Sequence, residues 1–233
     1  EQMARKRKAV FEKYDDFNKL NEVIATKLSE GNVIGWFQGR MEFGPRALGN
    51  RSIIADPTNC EMQSKLNLKI KYREGFRPFA PSVLEEDIST YFDLSVKSPY
   101  MLLVAPVSEE YRTDLPVNYH NLPMMEQLKA ERSTLQAITH VDFSARIQSV
   151  SKKTNRRYWE LITAFKQKSG IGMLVNTSFN VRGEPIVCTP DDAFRCFMST
   201  EMDYLVIENY VFTKKAQLDF ENKEKWRIAF AKD

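Results

Sequence analysis

Fourteen residues between two apolar runs hold three arginines: Gly39-Arg40-Met41-Glu42-Phe43-Gly44-Pro45-Arg46-Ala47-Leu48-Gly49-Asn50-Arg51-Ser52. A guanidinium stays charged at any working pH and offers a planar fork of N–H donors matched to phosphate or carboxylate oxygens. Three of them in one short loop repel each other unless an anion or acidic side chains lie among them. The chemistry these residues suit is anion binding, with phosphate as the leading ligand. The competing reading is a surface loop whose arginines pair with Glu42 and other carboxylates. Pro45 to Gly49 reads as one helical turn, because proline suits the first helical position and glycine the position past the end. Such a turn would aim backbone N–H groups at the anion, beside Arg46. The GxxxxGK[ST] order of a Walker A loop is absent.

Three further stretches carry reactive groups. In Lys69 to Val83, Arg77 and Ala80 each precede a proline, which disfavours helix and predicts extended backbone. Extended, Lys71 and Arg73 share one face, and a turn at Gly75 brings Arg77 back toward them. In Thr139 to Val150, His140, Asp142, Ser144, Arg146 and Gln148 alternate with Val141, Phe143, Ala145 and Ile147, the period of a strand. Its polar face fits a reactive site and a solvated surface equally. Asn176, Thr177, Ser178 and Asn180 follow the apolar run Ile171 to Val175. They are types that hydrogen-bond phosphate oxygens or a nucleotide without adding charge, and also types that make local turns. No Ser-His-Asp or Cys-His arrangement stands out. Cys60, Cys188 and Cys196 show no metal spacing and read as reduced thiols of a cytoplasmic protein.

Rigid flanks are needed to position such groups. Val33 to Phe37 and Ile53 to Ala55 read as buried strands on either side of the arginine loop. Residues 3–29 read as helix, with Leu20, Val23, Ile24 and Leu28 on one face and Gly31 as C-cap. Helices are also expected over Asn59 to Leu68, Asp87 to Asp93, Met125 to Ala130 and Arg156 to Lys168, the last with Trp159, Ile162 and Phe165 inward. Thr189-Pro190-Asp191-Asp192 is a helix start: hydroxyl cap, proline at N1, acids in the first turn. Tyr100 to Ala105 reads as a buried strand and Asp203 to Ile207 as another; Val211-Phe212 begins a polar tail. Residues 106–134 read as a surface excursion. The chain of 233 residues, 42% hydrophobic and 28% charged, has the composition of a soluble globular protein. A net charge of +3 argues against nucleic acid as the main partner. No run is long and apolar enough to cross a membrane, and no signal peptide is evident. The start at Glu1, inside a charged helical segment, suggests a piece of a longer protein.

Four motifs in order, GRMEFGPRALGNRSI, KYREGFRPFAPSVL, THVDFSARIQSV and NTSFNVRGEPIV, resemble the C-terminal domain of NodU/CmcH/TobZ-type carbamoyltransferases. The resemblance implies a YrdC-like α/β fold, an open twisted mixed sheet with flanking helices. It implies an N-terminal helical segment at 1–30 leading from a Kae1-like domain, a carbamoyladenylate-forming domain at 31–213, and a C-terminal tail at 214–233. The implied chemistry breaks carbamoyl phosphate down to carbamate, which attacks ATP to give carbamoyladenylate and pyrophosphate. The carbamoyl group then passes to an acceptor hydroxyl in the Kae1-like domain, whose metal site is not in this chain. By motif, Lys71, Arg77 and Arg46 would be catalytic. Arg40, Arg51, Arg73, His140, Asp142, Arg146, Asn176, Thr177, Ser178 and Asn180 would bind substrate or nucleotide. Mg²⁺ is expected with ATP, held chiefly by phosphates and water. Expected partners are ATP, carbamoyl phosphate and the Kae1-like domain; a homo-oligomer is compatible with the sequence. The third motif departs from the family's His-Val-Asp-Gly, with Phe143 in place of glycine. The alternatives are an RNA-binding YrdC-like module, with aromatics beside the cations for stacking, and a nucleotide-binding interaction domain without turnover.

Overall fold

The apolar runs become strands of one sheet, and the amphipathic segments become helices packed on its two faces. The structure, a computed structural model, describes residues 1–218. In chain order the elements are α1 (Gln2–Arg7), β1 (Glu12–Lys13), α2 (Phe17–Ser29), β2 (Ile34–Phe37), β3 (Arg51–Ala55), α3 (Met62–Lys69), β4 (Ala80–Leu84) and α4 (Ile88–Tyr91). There follow β5 (Leu103–Pro106), α5 (Met124–Lys129), β6 (Ser144–Val150), α6 (Arg156–Ser169), β7 (Met173–Ser178), α7 (Pro190–Ser199), β8 (Tyr204–Ile207) and β9 (Tyr210–Thr213). The nine strands lie in the order β1-β9-β8-β2-β3-β7-β4-β6-β5. The β2–β8 and β4–β6 pairs are parallel and the other six antiparallel, so the sheet is mixed.

Alternation along the central strands sends side chains to two cores. On one face Trp36, Ile54, Leu174 and Val206 meet Leu20, Ile24 and Leu28 of α2 and Tyr158, Leu161 and Phe165 of α6. On the other, Ile53, Val83, Val175 and Leu205 meet Met62 and Leu66 of α3 and Ala193 and Phe197 of α7. Each such large side chain, fully buried, contributes about 1.5–3 kcal/mol. The start of α7 is as expected: Thr189 and Asp192 form a capping box, with the Thr189 hydroxyl accepting from Asp192 N–H at 3.2 Å.

Five expectations are corrected. Tyr100 to Ala105 is not a buried strand: β5 begins at Leu103 and is the sheet edge, with β6 its one neighbour, and Leu102 and Val104 are 71% and 58% exposed. The strand through Thr139–Val150 begins only at Ser144. His140 to Phe143 form a turn closed by His140 N–H to Ser144 O at 2.8 Å and Phe143 N–H to His140 O at 3.0 Å. Phe143 sits there at φ 63°, the left-handed region that glycine enters without steric cost, so the glycine expected from the resemblance would fit this position. Val211 and Phe212 belong to β9, between β8 and β1, and do not start a tail. Residues 3–29 are not one helix: α1 ends at Arg7, β1 pairs with β9, and α2 begins at Phe17 as part of the core, while Arg7 pairs with Asp191 at 2.6 Å. Trp159 packs against the rim of the core and is only half-buried; its indole N–H donates to Glu86 at 2.9 Å while Tyr158 and Leu161 are fully inside. Most of the expected C-terminal tail lies outside the described residues.

Candidate anion-binding site

Strand β7 is the spine of the site. It lies between β3 and β4, and its polar end, Asn176-Thr177-Ser178, is followed by Asn180. Asn176 and Ser178 share one face by alternation, with Thr177 on the other.

Asn176 is buried, and its amide donates to Ala47 O at 3.0 Å and to Gln148 Oε1 at 2.8 Å. Gln148 in turn donates to Leu48 O at 2.8 Å, and Ser82 Oγ bonds its Oε1. The arginine loop is therefore laid on the sheet by β4, β6 and β7 together. Gly49 closes the fit. At φ 106° it lies against the Tyr158 ring, where a Cβ would come within 2.2 Å of a ring carbon.

The expected helical turn from Pro45 to Gly49 does not form. The N–H groups at its far end are engaged within the loop: Glu42 Oε1 accepts from Leu48 N–H at 2.7 Å and Asn50 N–H at 2.8 Å. Gly49 N–H donates to Ser52 Oγ at 3.0 Å. Glu42 thus serves the loop backbone and is not the ion partner the sequence suggested. Arg51 is likewise turned inward. It is buried, donates to the carbonyls of Gln38 and Asn50 at 2.8 Å and of Gly39 at 3.1 Å, and stacks on Phe37 with 3.4 Å to the ring centre. The Arg51 donors thus hold the base of the loop and are not turned toward open space. Arg40 and Arg46 are exposed.

Arg46 lies close enough to half-buried Arg146 for its charge, after burial, to push the Arg146 guanidinium below its ordinary value. Arg146 Nε is buried with no partner. His140 stands by: its imidazole is held down by burial and then by Arg146 and Arg132, against Asp142. Asp142 is committed to Ser144, accepting from its hydroxyl at 2.7 Å and its N–H at 3.1 Å, so it is tied into the turn and not presented beside His140 on a strand face.

The second cation group occupies the turn after α3. Lys71 and Arg73 are not on an extended strand. Their N–H groups fold back onto Leu66 O at 2.9 Å and Asn67 O at 3.0 Å, and Tyr72 between them has φ 49°. Lys71 and Arg73 line a cavity of about 420 Å³, together with Glu74, Arg77, Arg182, Ser178 and Asn180. Lys71 is buried at its floor, where Nζ donates to Asn180 O and Oδ1, both at 2.9 Å, and to Ser178 O. Burial pushes its ammonium down to about 7, while these oxygens favour the charged form. Arg73 stacks on Phe79 at 4.9 Å and donates to Asn67 Oδ1 at 2.6 Å; burial, then Arg77, lowers its guanidinium. Arg77 pairs with Glu74 at 3.3 Å. Arg182 was not singled out by type or spacing, although it stands two residues past Asn180 in the fourth motif.

The two groups are linked through β7. Ala47, next to Arg46, is bonded to Asn176, and Lys71 to Ser178 two residues on, a separation of roughly 7 Å along a strand. Among the described residues no group of three or more His, Cys, Asp or Glu could hold a metal ion. No helix among them is long and apolar enough to cross a membrane.

An open mixed sheet covered by helices on both faces, with this polar strand end, is a YrdC-like domain. A crystal structure of full-length HypF in its phosphate- and nucleotide-bound form shares the fold, with a TM-score of 0.50 at 15% identity over 88% of this chain and 23% of that one. Residues 25–214 match the family model described as carbamoyltransferase C-terminus, and the chain belongs to that family. It is 60% identical over 225 residues to an uncharacterised protein of Synechocystis, covering 97% of this chain and 36% of the other. Nodulation protein NolNO of Sinorhizobium fredii is 45% identical over 191 residues, 81% of this chain and 25% of that protein. The 3'-hydroxymethylcephem-O-carbamoyltransferase of Amycolatopsis lactamdurans is 37% identical over 167 residues, 72% and 28%. The chain thus spans only about a quarter to a third of the length of these relatives.

Proposed function

We propose that this domain binds ATP and carbamoyl phosphate and forms carbamoyladenylate, the activating half of an O-carbamoyltransferase. The observation that carries the reading is the pairing of like charges, Arg46 with Arg146 and Lys71 with Arg73, Arg77 and Arg182, around one polar strand end. Like charges held this close are stabilised by an anion between them. Family membership and a relative named as an O-carbamoyltransferase supply the group transferred.

Water first adds to the phosphorus of carbamoyl phosphate as the bond from that phosphorus to the carbamoyl oxygen breaks, giving phosphate and carbamate, which keeps the electron pair. A carbamate oxygen then bonds to the α-phosphorus of ATP as the bond from that phosphorus to the α–β bridging oxygen breaks, and pyrophosphate leaves with the electron pair. Such transfers depend on alignment and on charge neutralisation, not on a protein nucleophile. Arg73, Arg77 and Arg182 would neutralise charge on the leaving phosphates, with the Lys71 ammonium beneath them. Arg46 and Arg146 would hold the second anion in line, and Ser178 and Asn180 would orient phosphate oxygens. Mg²⁺ would shield the nucleotide phosphates. Transfer to an acceptor hydroxyl would fall to the Kae1-like domain.

The test is pyrophosphate exchange into ATP, dependent on carbamoyl phosphate, using the full-length protein. Exchange should appear and be lost in Arg46→Ala and Arg77→Ala. Absence of Mg·ATP binding to folded protein by calorimetry overturns the reading.

A further inference from the structure

We infer that Glu42 is a positioning residue for Arg46, a built-in carboxylate that fixes the arginine loop in its binding shape before any ligand arrives. The inference deepens the proposed function and rests on it for the identity of the ligand.

The loop could take many shapes on sequence alone, since Gly39 and Gly44 both have positive φ and neither would meet a neighbour if given a Cβ. Its order comes from what the backbone N–H groups find. Glu42 Oε1 collects those of Leu48 and Asn50, at 2.7 and 2.8 Å, and a longer third from Arg51 at 3.4 Å. Hydrogen bonds to an ionised carboxylate are about twice as strong as neutral ones. The bonds cross from one arm of the loop to the other and close a ring that contains Pro45 and Arg46. On the sheet side the carbonyls of Ala47 and Leu48 are held by Asn176 and Gln148. Arg46 thus projects from a segment fixed on both sides, while its own side chain stays exposed.

The arrangement has a second consequence. Glu42 Oε2 is buried with no hydrogen-bond partner; the carboxylate makes no close ion pair among the described residues, and the nearby charge it favours is that of Arg51, itself turned onto loop carbonyls. It engages the N–H groups of Leu48 and Asn50, which are then not offered to a ligand. Anion recognition falls chiefly to Arg46 and Arg146, and the loop keeps its shape when the ligand leaves.

The experiment is a double-mutant cycle on Mg·ATP binding with the full-length protein, read by calorimetry beside hydrogen exchange of the loop amides. Glu42→Ala should weaken binding roughly 10- to 100-fold, about as much as Arg46→Ala, and the double variant should be no weaker than either single. Glu42→Gln, which keeps an acceptor at Oε1, should restore most of the affinity. Additive losses, or unchanged affinity in Glu42→Ala, overturn the inference. Exchange at Leu48 and Asn50 should be slow in the unsubstituted protein and fast in Glu42→Ala, with the β2 amides and those of β3 beyond Arg51 unaffected. If the unsubstituted protein does not bind Mg·ATP, the proposed function fails, and the exchange data alone decide the positioning role: loop amides that exchange fast with Glu42 present overturn it. If Glu42→Ala does not fold, Glu42→Gln takes its place in the exchange measurement, where a weaker neutral acceptor should speed Leu48 and Asn50 several-fold and unchanged rates overturn the inference.

Discussion

The side-chain amide of Asn176 donates to the carbonyl oxygen of Ala47 at 3.0 Å, and this bond joins the central strand β7 to the residue beside Arg46. The same amide donates to Gln148 Oε1. Asn176→Asp would set a carboxylate against two acceptors in a buried place. We expect it to cost about 3 kcal/mol of stability, measured by urea denaturation, and to weaken anion binding as Arg46→Ala does. Asn176→Ala, which removes the donors without adding charge, should cost less.

Gly49→Ala tests the packing of the loop on α6. The added methyl would meet the Tyr158 ring at 2.2 Å, and φ 106° is closed to side chains. A loss of about 2–4 kcal/mol is expected, from overpacking and backbone strain together. Gly44→Ala shares only the strain, since no atom lies within 4 Å of its would-be Cβ, and should cost less. Equal losses in the two would show that the ring contact contributes nothing.

Lys71 predicts a pH dependence. Burial lowers its ammonium to about 7, against about 10.4 in an unfolded chain. Between these values the unfolded chain binds the extra proton, so the contribution of this group makes the unliganded domain more stable as pH rises from about 7 to about 10. Binding runs the other way. Phosphate favours the ammonium, so nucleotide should bring a proton with it above pH 7 and bind more weakly as pH rises. Calorimetry at pH 8.5 in two buffers of different ionisation enthalpy measures that proton, and zero uptake would remove Lys71 from the ligand set.

Arg77 separates binding from folding. Its pair with Glu74 is exposed on both sides, with side chains 53% and 47% accessible, and such pairs add little to stability. Arg77→Ala should leave the denaturation midpoint almost unchanged. The affinity for Mg·ATP should fall roughly tenfold or more and become less sensitive to salt.

The sequence made the scaffold legible where periodicity and capping speak. Leu20, Ile24 and Leu28 faced inward as their spacing required, with Val23 of the same stripe only half-buried, and the Thr189 cap opened α7. It failed where one side chain decides the path of a loop. Proline and glycine spacing from Pro45 to Gly49 fits a helical turn, but Glu42, three residues upstream of Pro45, claims the N–H groups from outside the pattern. Alternation through His140 to Phe143 fits a strand, yet Asp142 bonds Ser144 two residues on and Phe143 turns left-handed. An apolar run likewise does not say how many neighbours a strand will have, and β5 has one. The cationic residues were visible by type; which of them point outward was not, because Arg51 turns its donors to carbonyls and Arg46 does not.

The pairing of β3 with β7 matches Ser52 to Ser178, and that of β2 with β8 matches Ile34 to Tyr204. Contacts so distant in sequence place domains among the slower folders, at milliseconds to seconds. During synthesis the arginine loop emerges early but has nothing to rest on until β7 leaves the ribosome. A nascent chain would carry every arginine of the first motif and still hold no nucleotide, so the activating chemistry would switch on only when nearly the whole domain has been made.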